Sequence, residues 1–417
     1  MRRKWVIFGL SLLIVIGSFP SFSAEFSQGD STSVSRKGVI LVDDEGDGDY
    51  TSIKEALNNS NPGDTIEIYS GIYYEYNITI TFPINILGIS QEVGEGNDTG
   101  KPVIKQPLLL NETYFLMHIL YHNVTVRNCN FQGYDTSDRS GIGIYLKGSN
   151  YCRILNNDFK DVSIGIEIWN SHFFVIENNS IKNMKYDGIW LEPSSNNNII
   201  RNNTISGVMK NGISINIYGN EEFYNCSIIQ NNISHCFQNG IVAKGQGIII
   251  NENVISDCQN AGVSSASFDS LIHNHIYDCI KGITVVCNNN VIKENIVVDC
   301  DVGMEILCQG AHTMIEDNEI RENTIGMKID EPDIDMVSIT RNNFIQNKIQ
   351  SIFTAIRLLS SSSIWSYNYW GEELKFPKPL FGFGVILSFH SDIFIGLPVP
   401  WVCFDRHPVQ EPYDIQV

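Results

Sequence analysis

The chain has 417 residues, a formal charge of −19 at pH 7, 43% hydrophobic residues and ten cysteines. An acidic balance of that size argues against nucleic acid phosphate or an anionic membrane surface as a partner and leaves a neutral or cationic one. No Pro/Gly/Ser-rich linker interrupts the repeats described below, so the length is spent on one elongated domain and not on two or three globular ones.

Arg2, Arg3 and Lys4 precede the apolar run Trp5 to Ile16, and small residues follow at Ser21, Ser23 and Ala24. This is the pattern of a secretory leader over residues 1–24. The run is shorter than the roughly 20 apolar residues that span a bilayer, so a secreted or cell-surface protein is expected, with a retained N-terminal anchor as the alternative. Loss of the three leader cations takes the charge to −22. Residues 25–38 are polar and read as a flexible lead-in.

Residues 39–110 read as an N-terminal cap and the first rungs. A strand is expected over Val39 to Val42, then an acidic turn. Its spacing Asp43-x-Glu45-x-Asp47-Gly48 resembles the start of a calcium loop, but the twelfth position is Lys54 where a bidentate Glu is required, so it reads as a solvated turn. A helix from Tyr50 to Asn59 follows, with Ile53, Ala56 and Leu57 on one face and Ser52 with Glu55 as a capping box. Such a helix would cover the open end of a coil, whose unpaired strand edges invite aggregation.

From 111 to 370 the sequence repeats. The phrase apolar-x-x-Asn-x-Ile/Phe returns nine times, with its Asn at Asn157, Asn179, Asn203, Asn231, Asn253, Asn274, Asn295, Asn318 and Asn342, in steps of 21 to 28 residues. A second phrase, Gly followed by an alternating apolar strand, interleaves with it from Gly143 to Gly326. Strands this short cannot bury an apolar side alone and must stack on copies of themselves. Coiling places each rung about 4.8 Å above the last, where a buried Asn can donate its amide to the Asn next door. The expected architecture is an all-β parallel β-helix, a solenoid with a short N-terminal capping helix and a C-terminal covering segment.

The opening residues resemble a known family. Asp49-Tyr50-Thr51-Ser52-Ile53-Lys54-Glu55-Ala56, Pro62-Gly63-Asp64-Thr65-Ile66 and Gly71-x-Tyr73-x-Glu75 look like the start of the pectin lyase-like superfamily, and the Asn/Gly repeat is similar to the NosD-like, CASH type of right-handed parallel β-helix. Asn368-Tyr369-Trp370-Gly371 and Pro400-Trp401-Val402-x-Phe404-Asp405-x-His407-Pro408 resemble the ends of archaeal surface members. The resemblance implies the fold over residues 40–370 and right-handed winding, but no single activity. The Asn-Thr-Asp, Gly-His-Gly and Arg-Ile-Lys of polygalacturonases, the Gln-Asp-Thr and Gly-Arg-Pro-Trp of pectin methylesterases and the Asp-Pro-His-Glu of alginate epimerases are absent, so Glu75 reads as a structural turn residue.

A site is therefore expected from geometry alone. With the first and third residues after each repeat Gly inward, the second and fourth point outward. Those outward columns are Tyr145 and Lys147, Glu167 and Trp169, Trp190 and Glu192, then Ser214 and Asn216, with Asp187 at the edge. Rings alternate with carboxylates, the chemistry of a polysaccharide or surface-glycan strip. Glu167 and Glu192, one rung and two residues apart, have backbones about 8 Å apart. That separation suits an inverting carboxylate pair, so a lyase or hydrolase acting at this face is the alternative to a glycan-binding or structural module.

Later rungs place Val242, Thr284, Val286, Glu305 and Leu307 in the same columns, and the tail, 371–417, is expected to fold over them as a lid. Cys236, Cys258, Cys279 and Cys300 recur in register. They read as packed free thiols, with disulfides and soft-metal ligation as alternatives and a NosD-like metal-maturation role as a second functional alternative. No cofactor and no metal site is expected.

Overall fold

The computed structural model describes residues 38–94, 96–107, 114–134, 141–192, 194–215, 225–266, 269–286, 289–307, 312–331, 337–355, 364–371, 378–390, 393–405 and 407–415. The leader, the lead-in up to Lys37, Asn216, Cys287 and Cys308 lie outside the described residues.

Each coil contributes three short strands and not merely a pair, and like strands stack into three sheets of 14, 14 and 12 strands. The result is an all-β right-handed parallel solenoid of about twelve turns. One coil shows why. In Arg153–Leu155 only Ile154 points inward, and in Asp158–Lys160 only Phe159 does. Between them stand Asn156 in the left-handed conformation (φ 55°) and Asn157 with its side chain inside. The repeat phrase is thus two three-residue strands joined at a sharp corner. Asn tolerates the positive φ that such a corner needs better than most residues. The third strand, Gly141–Lys147 and its successors, follows the repeat Gly.

Register is strict. Ile154 pairs with Val126 below and Ile176 above, and this inward column continues through Ile200, Ile228, Ile250, Leu271, Ile292, Ile315 and Ile339. The buried Asn column behaves as expected. Asn179 donates its backbone N–H and Nδ2 to Asn203 Oδ1, both at 3.0 Å, and a second Nδ2 bond goes to Ile154 O at 2.9 Å. The same pattern repeats from Asn157 through Asn342 and extends beyond the expected nine to Asn368. A side chain whose polar atoms are all met by the coils above and below costs little to bury.

The repeat Gly has a steric cause. A Cβ on Gly240 would lie 2.7 Å from Gly262 O and against Ile255, and the same holds along the column from Gly143 to Gly326. Cys236, Cys258 and Cys279 fill the space beside these glycines, and each sulfur donates to the carbonyl two residues back. The seven cysteines whose side chains are described, Cys300 among them, are buried and unbridged.

The cap helix spans Ile53–Asn58, with Ser52 as N-cap and Ile53, Ala56 and Leu57 buried. Glu75 is the larger part of that cap. Its Oε1 accepts from the Ile53 N–H at 2.7 Å and its Oε2 from that of Lys54 at 3.1 Å, while Tyr73 donates its hydroxyl to Val42 O and Tyr69 O. The Gly-x-Tyr-x-Glu phrase therefore ties the helix to the first rung. At the far end the described strands of the tail continue the coil. The strand Lys378–His390 pairs in parallel with Ile349–Ala355 and antiparallel with Ile393–Asp405, extending the third sheet. Val286 stays 43% exposed. Asp405 ends the Asn column: its Oδ2 accepts from Asn368 N, Asn368 Nδ2 and Trp370 Nε1.

Candidate functional site

The third sheet carries the expected outward column. Tyr145 pairs with Glu167, Glu167 with Trp190 and Trp190 with Ser214, while Lys147 pairs with Trp169 one position pair further on. Inward neighbours Ile144, Leu146, Ile166, Ile168, Ile189 and Leu191 are fully buried and hold this face in register.

The column is not uniformly open. Tyr145 is only 8% exposed. Its ring stacks on Phe115 at 4.8 Å and on His118 at 5.0 Å between centroids, both from the neighbouring strand Tyr114–Ile119, so one of its faces is already covered. Ile142 and Ile164 complete this outer cluster, with Trp190 and Tyr186 half-buried against it. Burial, and then the charges of Glu167 and Glu192, push the Tyr145 phenol up to about 12. Both carboxylates therefore act on one hydroxyl from neighbouring rungs. Burial and the nearby Lys147 push His118 down.

Asp187 is 5% exposed and faces inward along its own polar column: its Oδ1 accepts from Asn211 N and Nδ2, whose own Oδ1 accepts from Asn239. Its contribution is to the corner. Exposure rises toward the end of the strands. Trp169 is 42% exposed, with Lys147 Nζ 4.3 Å from its ring centroid, a cation–π contact. Glu167 and Glu192 are half-buried, and the Glu192 backbone N–H is tied to Ile168 O.

Sequence reasoning missed one part of this surface. Four residues beyond Lys147 and Trp169, the next corner presents Tyr151 and Phe173, exposed and stacked in parallel at 5.2 Å. Both stand at positive φ, 58° and 56°. Such a conformation is unusual for bulky aromatic residues. The signal was their 22-residue separation, one coil, which went unread because neither belongs to the two repeat phrases. Two polar atoms at the same face, Trp190 Nε1 and His118 Nε2, are buried and have no hydrogen-bond partner among the described residues.

The family described as right handed beta helix region matches residues 109–228 and 214–369. Among solved structures, the Dettilon tailspike protein is similar at 14% identity and TM-score 0.56, covering 84% of this chain and 74% of that one. The surface protein and adhesin PfbA of Streptococcus pneumoniae has 12% identity and TM-score 0.57, covering 72% and 94%. The catalytic unit of a GH87 alpha-1,3-glucanase from Streptomyces thermodiastaticus has 14% identity and TM-score 0.52, covering 72% and 61%. No curated protein matches in sequence. At these identities the structural likeness is one of fold.

Proposed function

Because the chain belongs to the right-handed beta helix family and shares the pectin lyase-like fold, we propose that it is an exported module that binds a polysaccharide or surface glycan along the outer face of its third sheet. The observation that carries this reading is the in-register run Tyr145, Glu167, Trp190, flanked by exposed Trp169 and by Lys147. Flat rings suit the C–H faces of pyranoses, and carboxylates suit their hydroxyls. Tyr145 backs the strip from beneath, and Tyr151 with Phe173 extend it around the corner. A tailspike, an adhesin and a glucanase share the fold, which makes a glycan partner a natural use of such a face.

A glycan array with the purified protein tests the reading. Binding that is lost in Trp169→Ala and kept in a variant of exposed Met209, at the second sheet's edge, supports it. No binding to any glycan refutes it. A second reading, a hydrolase or lyase, draws on the shared influence of Glu167 and Glu192 on Tyr145. Release of reducing ends or unsaturated sugars, abolished in Glu192→Gln, would select it over simple binding.

A further inference from the structure

Far from that face, the acidic turn after the first strand meets the loop around residue 92. Asp43, Glu45 and Glu92 each bring one carboxylate oxygen within 4.8 Å of the other two, and Asp44, Glu45 and Asp98 do the same. Two loops about fifty residues apart in sequence thus converge five acids. Among the described residues no Lys or Arg forms an ion pair with any of them.

Asp43 makes the cluster more than an exposed acidic patch. It is fully buried, its Oδ2 accepts from the backbone N–H groups of Gly46 and Asp47 at 3.0 Å, and its Oδ1 is buried with no hydrogen-bond donor among the described residues. Asp44 repeats the pattern, with Oδ2 on the Ile72 N–H and Oδ1 buried and unsatisfied. A buried carboxylate oxygen facing other carboxylates is costly unless a cation lies between them. Close packing fixes the approach: a Cβ on Gly94, at φ +82°, would collide with the Asp47 carboxylate, and one on Gly71 with that of Asp44.

We propose that Asp43, Glu45 and Glu92, supported by Asp44 and Asp98, bind a calcium ion that pins the acidic turn to the loop around residue 92 and secures the N-terminal cap. The donors are all hard oxygens, as calcium requires. Two ligands of one calcium ion are at most about 5 Å apart, twice a bond of roughly 2.4 Å, and the converging carboxylate oxygens meet that limit. Calcium also takes six to eight oxygens in irregular geometry, which carboxylates from two separate loops supply more readily than the regular octahedron that magnesium demands. Lys54, which disqualifies a twelve-residue calcium loop, is irrelevant to this geometry, because Glu92 from the second loop supplies the carboxylate that the local sequence lacks.

The test is calorimetric titration of calcium chloride into the full chain after chelator treatment, at constant ionic strength, with thermal melting in parallel. The expected result is saturable binding of calcium, tighter than of magnesium, with a rise in melting temperature. Glu92→Gln and Glu45→Gln, both at the surface end of the cluster, should each weaken binding at least tenfold while melting no lower than the parent in chelator. Absence of saturable heat, a response that sodium chloride reproduces, or unchanged affinity in both variants overturns the site.

Discussion

Truncation of one rung of the Asn column, Asn231→Ala, measures what the column contributes. Asn231 Oδ1 accepts from the N–H and Nδ2 of Asn203 at 3.0 Å, and its Nδ2 donates to Ile200 O and to Asn253 Oδ1, also at 3.0 Å. After truncation Asn203 Nδ2 keeps its bonds to Ile176 O and Arg201 O, but the Asn203 N–H loses its acceptor and the Ile200 carbonyl loses this donor, both in the interior. Each buried group left unsatisfied costs about 1–3 kcal/mol, so the expected loss is roughly 4 kcal/mol. The adjacent Asn232→Ala, an exposed strand position, should stay within about 0.5 kcal/mol and serves as control. Because each coil touches only its neighbours, the damage should be local: urea unfolding should begin earlier, and hydrogen exchange should accelerate in the rungs around residues 199–255 before those near Ile339. A loss below about 1 kcal/mol, indistinguishable from the control, would refute the view that paired amides hold the stack together.

Gly240→Ala should destabilise by about 2 kcal/mol or more, because the new methyl sits 2.7 Å from the Gly262 carbonyl and the backbones must part; a urea midpoint unchanged from the parent would refute this. Asp269, buried in a polar column, gives a pH signature. Burial pushes its carboxyl up to about 7 against the opposing hydrogen bonds from Ser265 and Ile248 N–H. Folding therefore takes up a proton between the unfolded value near 4 and the folded value, and stability falls as pH rises through that window, by at most roughly 4 kcal/mol. Asp269→Asn keeps the bond from Ile248 and can donate to Ser265 Oγ, so it should flatten the dependence and stabilise the protein at pH 8; a steeper slope in the variant contradicts the assignment.

Most of the fold was legible because its determinants are local and periodic. Asn179 and Gly188 recur at one coil per step, and a period of that kind has few physical solutions. What the sequence hid depends on contacts between distant segments. Glu75 looked like a turn residue, yet its carboxylate caps a helix 22 residues earlier. Asp405 looked like part of a terminal motif, yet it ends a column of amides that begins at Asn157. The tail's apolar composition carried no sign that the strand Lys378–His390 would pair with Phe353–Ala355 and enter the sheet. At the candidate site the alternation of the strands carries no information about Phe115 and His118 stacking on Tyr145 or Asn211 binding Asp187.

The parity of the third sheet separates what builds this protein from what it can recognise. Inward positions admit little choice: from Ile144 to Ile329 they are buried, and all but Ser265, which donates to Asp269, are aliphatic or methionine. The outward column in strict register with them changes freely, from Tyr145, Glu167 and Trp190 through Ser214, Val242, Ser264 and Thr284 to Glu305 and Lys328. Where a charge is sheltered in that column it is compensated in place: Glu305 lies between Lys281 Nζ at 2.5 Å and Lys328 Nζ at 3.0 Å, and these cations hold it below the usual carboxylate range despite its burial. The strip at Glu167, Trp169 and Trp190 is therefore not imposed by the scaffold, since other outer residues serve the same coil a few turns later. Substitutions there can be read as tests of recognition, because the inward residues that hold the coil are left untouched.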